Sequence, residues 1–216
     1  MSQIFRILFM SEDGFSSLAY SKNVIEFITV ANEFCSFLDR ADELDSATFL
    51  SRLQKILPLL YLKASLLPEF DFEPDDELEK YVTEVEYNLI QKKILEHTGA
   101  YDDYQEVFVP GMQFSESPLT ASIAENVADI YQDTKDTVMS FRTLDESVIE
   151  QALWECRQNF VQIWGQKLVN CLRAIHSLVY SENFAENISD KSANNEKRSA
   201  PKPEWIINRF FGDEEE

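Results

Sequence analysis

The chain has 216 residues, 44% apolar and 12% aromatic, enough to bury a full core and to exclude disorder for its bulk. Asp and Glu number 39 against 19 Lys and Arg, and the resulting charge of −20 opposes binding to phosphate backbones and anionic membranes. Five Gly and seven Pro are few for a sheet-rich fold, and two His with three Cys leave little material for a metal or nucleophilic centre.

Residues 1–21 read as a poorly ordered or accessory segment, with translation conceivable from Met1 or Met10. The run from Ile7 to Met10 is too short for a signal peptide and runs into Glu12 and Asp13. Asn23 is placed to cap a first helix reaching about Ala41, with Val24, Ile28, Ala31, Cys35 and Leu38 on one apolar face. Asp45 or Ser46 starts the second, whose stripe is Phe49, Leu53, Ile56, Leu57 and Leu60. Pro58 lies inside it and predicts a kink. The longest apolar stretch, Ile56 to Leu62, falls far short of the roughly 20 residues of a membrane span. A cytoplasmic protein is expected.

An acidic linker with Phe70 and Phe72 leads to a third helix, capped by Asp75 or Asp76, with Leu78, Val82, Val85 and Leu89 facing inward. Gly99 stands where a helix stop belongs. Tyr101 to Phe114 reads as a long ordered loop, acidic and aromatic, with room for one short extended piece. Ser117 and Pro118 make a helix start, and Leu119, Ile123, Val127, Ile130, Val138 and Phe141 mark a fourth helix of about six turns. Thr143 or Asp145 caps the longest helix, which runs to about Tyr180 through Ile149, Leu153, Cys156, Phe160, Ile163, Val169, Leu172, Ile175 and Val179. Gly165 interrupts it, which makes sense only where another element crosses closely or the helix bends beside Trp164. Residues 185–203 lose apolar period and read as a flexible linker, and 204–216 as an amphipathic docking segment with an acidic end. The fold class is therefore all-α: a single bundle of about five main helices over residues 22–184.

Four carboxylates of the fourth helix, Glu125, Asp129, Asp133 and Asp136, recur at steps of four, four and three, so one face carries them all. Such a face could hold a hard cation, Mg²⁺ or Mn²⁺, for hydrolysis of a nucleotide or phosphoester. They lie opposite the stripe through Val127, Ile130 and Val138, however, and the expectation is a wet, solvated face. Neither His97 nor His176 follows a Glu at the spacing of a di-iron motif, and both fall near helix C-termini, where a cationic imidazole complements the dipole. Cys35, Cys156 and Cys171 sit among apolar neighbours and read as reduced core thiols. Residues 66–116 hold 14 Asp and Glu against three Lys, a flank suited to a basic protein. Trp205, Ile206, Phe210 and Phe211 are too few for a core of their own. They either dock back on the bundle, which the tether favours, or insert into a groove on another protein.

The strings from Ala128 to Asp136 and from Phe160 to His176, with the opening Ser21 to Phe27, resemble a family of uncharacterised bacterial all-helical proteins catalogued as a domain of unknown function. The resemblance spans about residues 20–180. It implies a bacterial cytoplasmic setting, brings no activity or catalytic residue, and draws interest to Asp129, Tyr131, Asp133, Asp136, Trp164, Gly165 and Arg173. A His commonly follows the family's Trp-Gly-Gln triplet, whereas here Lys167 does. If the fourth and fifth helices pack together, Arg173 is expected to pair with one of the acids, completing a structural polar cluster of Asp129, Tyr131, Asp133, Trp164 and Arg173.

These readings favour a non-enzymatic protein-interaction module, with no cofactor and with another protein, basic in character, as partner. Membrane association and direct nucleic-acid binding are disfavoured. The competing expectation is the metal-dependent hydrolase on the fourth-helix carboxylates.

Overall fold

The computed structural model describes residues 18–70, 77–106 and 119–181. Residues 1–17, the expected linker at 185–203 and the expected docking segment at 204–216 lie outside the described residues, as do Ser117 and Pro118.

Helix α1 spans Lys22–Asp39 and α2 spans Ser46–Ser65, the latter capped by Asp45, whose carboxylate accepts the Thr48 N–H at 2.9 Å. Pro58 sits on the exposed side of α2, and the helix runs on through it to Ser65. Helix α3 spans Glu84–Thr98 and ends at Gly99, whose φ of 54° is the left-handed conformation that suits glycine. Strand β1, Asp103–Gln105, pairs antiparallel with β2, Thr120–Ser122. Helix α4, Ile123–Phe141, follows directly, and α5, Glu146–Asn159, is capped by Asp145. A π turn over Phe160–Trp164 joins α5 to α6, Gly165–Val179. Among the described residues the fold is an all-α bundle of five main helices, the last divided by the π turn, with only this small two-stranded sheet beside it.

Helix α4 is the axis of the bundle, with α1, α3, α5 and α6 packed around it. Short side chains (Ala124, Ala128, Thr134, Thr137 and Ser140) are buried along it and let the surrounding helices close in. One continuous core joins Phe27, Phe34, Phe49, Leu53, Ile94, Val127, Tyr131, Leu153 and Trp164. Helices α2 and α6 run antiparallel, since Tyr61 packs edge-on against Phe160 while Gln54 donates to His176 Nδ1 at 3.0 Å. All three cysteines are free and buried, and desolvation pushes each thiol up to about 12. No described helix is long and apolar enough to cross a membrane.

Three sequence expectations are corrected. The third helix begins at Glu84, not at Asp75 or Asp76, because residues 77–83 stay outside it and Thr83 caps it by accepting the Glu86 N–H at 3.2 Å. Its inward residues are Ile90 and Ile94, while Val85 and Leu89 face water. The fourth helix begins at Ile123, not at Pro118, because the backbone of 120–122 pairs with β1 and the Glu106 N–H donates to the Leu119 carbonyl. Finally, the stripe of the last helix changes phase at the π turn. One extra residue per turn rotates the apolar face from Phe160 to Trp164, Leu168, Cys171 and Ile175, leaving Ile163 and Val169 exposed.

Candidate functional site

The carboxylates of α4 are the chain's chief candidate for chemistry, and the bundle takes them inward. A helix surrounded by four others has no fully wet face, so the expected solvated stripe does not form. Glu125 alone is exposed, at the first turn, where Ser122 caps the helix by accepting the Glu125 N–H at 3.0 Å. Asp129, one turn on, is part-buried. It accepts the Tyr87 hydroxyl of α3 at 2.7 Å and a short hydrogen bond from Lys167 of α6, so it ties three helices together. Burial and this neighbouring carboxylate push the Tyr87 phenol up, keeping it protonated as the donor.

Asp133 accepts the Asn159 side-chain amide from the end of α5 at 2.8 Å. Asp136 is buried, and its Oδ1 accepts two backbone N–H groups, from Tyr81 at 2.8 Å and Val82 at 2.9 Å. Those two bonds hold the segment 77–83 against α4 as it enters α3. Desolvation raises both carboxyls above the usual Asp range, only partly offset by their donors and by Lys80. Lys80 itself bridges to Glu155 of α5 at 2.7 Å. Lys80, Asp133, Asp136, Thr137, Glu155 and Asn159 together line a polar cleft of about 270 Å³, including the solvent at its mouth.

Tyr131 is fully buried, with its hydroxyl 2.7 Å from Asp39 Oδ1 and 3.1 Å from Glu86 Oε1; burial and these acids push the phenol well up. Lys135 balances them, pairing with Asp39 at 2.9 Å and lying over the Tyr131 ring. Trp164 is buried and donates its indole N–H to the Cys156 carbonyl at 3.3 Å, spanning the π turn. Arg173 does not join this cluster. It lies on the exposed side of α6 and donates to the Gln105 carbonyl at 3.1 Å; the cation that meets Asp129 is Lys167, which lies inward after the phase change.

Sequence reasoning missed the partners that arrive from outside α4: Tyr87, Asn159 and the N–H groups of Tyr81 and Val82. It also missed Asp102, which accepts the Thr98 hydroxyl, the Ser122 hydroxyl and the Ala124 N–H, and so locks α3, β2 and the start of α4 together. The one available signal was an acid three residues past the helix-stopping Gly99. His97 is also reassigned. Its ring stacks on Phe49 with centroids 4.1 Å apart and donates from Nε2 to the Ala41 carbonyl at 2.9 Å, while burial lowers its pKa. It sits in the last turn of α3, as expected, but its ring is packed on Phe49 and bonded to Ala41 rather than left open at the helix end. Among the described residues, no three His, Cys, Asp or Glu side chains converge as metal ligands do. Trp205, Ile206, Phe210 and Phe211 lie outside the described residues.

A family model described as a domain of unknown function (DUF5063) matches residues 18–181. Among solved structures, the chain is similar to protein BF1032 from Bacteroides fragilis, a Northeast Structural Genomics Consortium target. That match has 41% identity and a TM-score of 0.68 over 76% of this chain and 97% of that one. No curated protein matches the chain. The described bundle and the matched residues coincide almost end to end, and the chain belongs to the DUF5063 family.

Proposed function

We propose that the bundle is a non-enzymatic interaction module and that its partner is a basic protein of the bacterial cytoplasm. The carrying observation is on α3, where Val85 is 79% and Leu89 52% exposed, one turn apart on the side away from Ile90 and Ile94. A helix with apolar residues on both faces has a second face to cover. On the same helix the exposed acids Glu84 and Glu96 repel acidic proteins and attract basic ones, and the charge of −20 extends that preference over the chain. Three free, buried thiols suit a reducing compartment.

Three of the four carboxylates named for a hydrolytic cation already have partners within the bundle, which favours the interaction reading over the hydrolytic one. Asp129 faces Lys167 and Tyr87, Asp133 Oδ1 accepts from Asn159, and Asp136 Oδ1 accepts two backbone N–H groups, so each of the three supports the bundle through at least one oxygen.

Affinity capture with the full-length chain from bacterial lysate, at low and moderate salt, tests the proposal against a Val85→Ser plus Leu89→Ser variant. The expected result is a basic protein held by the wild type, released by salt and lost from the variant. An identical captured set for both chains contradicts it.

A further inference from the structure

Helix α2 carries a second exposed stripe with a different character. Arg52, Lys55, Leu59, Leu62 and Leu66 recur at steps of three and four, and all five are exposed. The order along the stripe is basic, basic, apolar, apolar, apolar. Each other Lys and Arg among the described residues has an ion-pair or hydrogen-bond partner: Lys63 and Lys22 on Glu26, Lys80 on Glu155, Lys92 on Glu96, Lys93 on Asp42, Lys135 on Asp39, Arg157 on Glu69, Lys167 on Asp129, and Arg40, Arg142 and Arg173 on Ser36, Asn32 and Gln105. Arg52 and Lys55 have none among the described residues. In a chain with twice as many acids as bases, two neighbouring cations without a partner beside an apolar ridge need explaining.

We infer that this ridge is the docking surface for the chain's own C-terminal segment, residues 205–216. The segment reads as the complement of the ridge. Trp205, Ile206, Ile207, Phe210 and Phe211 come first, and Asp213, Glu214, Glu215 and Glu216 follow. Laid antiparallel to α2, its apolar part covers Leu66, Leu62 and Leu59 and its acids reach Lys55 and Arg52. The lengths agree. The ridge from Leu66 to Arg52 is about 21 Å, and twelve residues in helical form cover about 17 Å.

The connection is long enough. Because α6 runs antiparallel to α2 and His176 meets Gln54, Ser181 lies near the Arg52 end of the ridge. Residues 182–204 then need to carry the chain about 21 Å to the Leu66 end, within the roughly 26 Å that a random coil of that many residues spans on average. Tethering keeps the segment at high local concentration, so a modest contact suffices to hold it there. This contact is separate from the α3 face, and either can fail without the other.

Disulfide trapping in the full-length chain tests the inference. The native thiols are buried and pushed up to about 12, so mild oxidation acts on introduced cysteines. Leu62→Cys with Phe210→Cys is compared with Val85→Cys with Phe210→Cys, which places an exposed thiol on a different helix. Docking predicts an intramolecular crosslink that forms at least about tenfold faster in the first pair. It also predicts slowing of that crosslink by Arg52→Glu plus Lys55→Glu or by added salt. Equal rates in the two pairs overturn the inference. So does a crosslink found only between two chains, which would place a neighbouring copy's segment on the ridge.

Discussion

Asp136 shows how one carboxylate can organise a chain segment. Its Oδ1 receives the N–H groups of Tyr81 and Val82, and burial raises its pKa against the pull of those donors. Asp136→Ala leaves both donors without this acceptor and should lower stability by about 1–3 kcal/mol, measured as a shift in urea midpoint. Asp136→Asn keeps an acceptor and should lose less; equal losses in the two variants would point to charge instead. His97 gives the pH signature. Its folded pKa lies below the ordinary 6.5, so the folded state binds fewer protons than the unfolded one between those two values. Stability is full above about pH 6.5 and declines as pH falls from there toward the folded pKa. Asp133 and Asp136 act in the opposite sense at lower pH, since protonating a carboxyl with a raised pKa relieves its burial penalty. The melting temperature of the wild type should therefore fall between neutral pH and mildly acid pH more than that of His97→Gln. Parallel curves would contradict a buried neutral ring.

At the scale of the element, the π turn matters most. A Cβ at Gly165 would stand 2.5 Å from the Phe160 carbonyl oxygen and 3.0 Å from its ring, a clash with backbone that no rotamer relieves. Gly165→Ala should thus destabilise by about 1–3 kcal/mol in denaturant titration, although alanine is the better helix former by about 1 kcal/mol. A stabilised variant would show that the turn relaxes to an α-helix at no cost. The glycine was readable in the sequence as a point of bending, but the inserted residue was not. Period counting assumes a constant 3.6 residues per turn, and a single wide turn shifts every later position by one. Elements whose ends are set by their own residues were largely legible: the Gly99 stop stands where the sequence placed it, and Asp45 and Asp145 are each one of the two starts it offered, although the first helix starts at Lys22 after Ser21 rather than behind an Asn23 cap. Elements whose ends are set by distant partners were not. The starts of α3 and α4 depend on Asp136 and Asp102, and no local signal near Asp75 or Ser117 reveals that those sites lose the competition.

For the whole molecule, the all-helical class and family membership followed from apolar periodicity and from the Asp129 and Trp164 strings. The central place of α4 did not, because a stripe of apolar residues identifies one buried face and says nothing about whether the other faces are covered. Once α4 is enclosed, its acids serve as acceptors for Tyr87, Asn159 and backbone N–H groups, and the exterior of α3 keeps Val85 and Leu89 exposed. The measurement closest to this account is thermal melting of the full-length chain with and without Mg²⁺ or Mn²⁺, alongside Asp129→Asn plus Asp133→Asn. The account predicts that the double substitution lowers the melting temperature in either condition, and that wild type and variant respond to the cation equally. A cation-dependent rise in the wild type that the double substitution abolishes would contradict it.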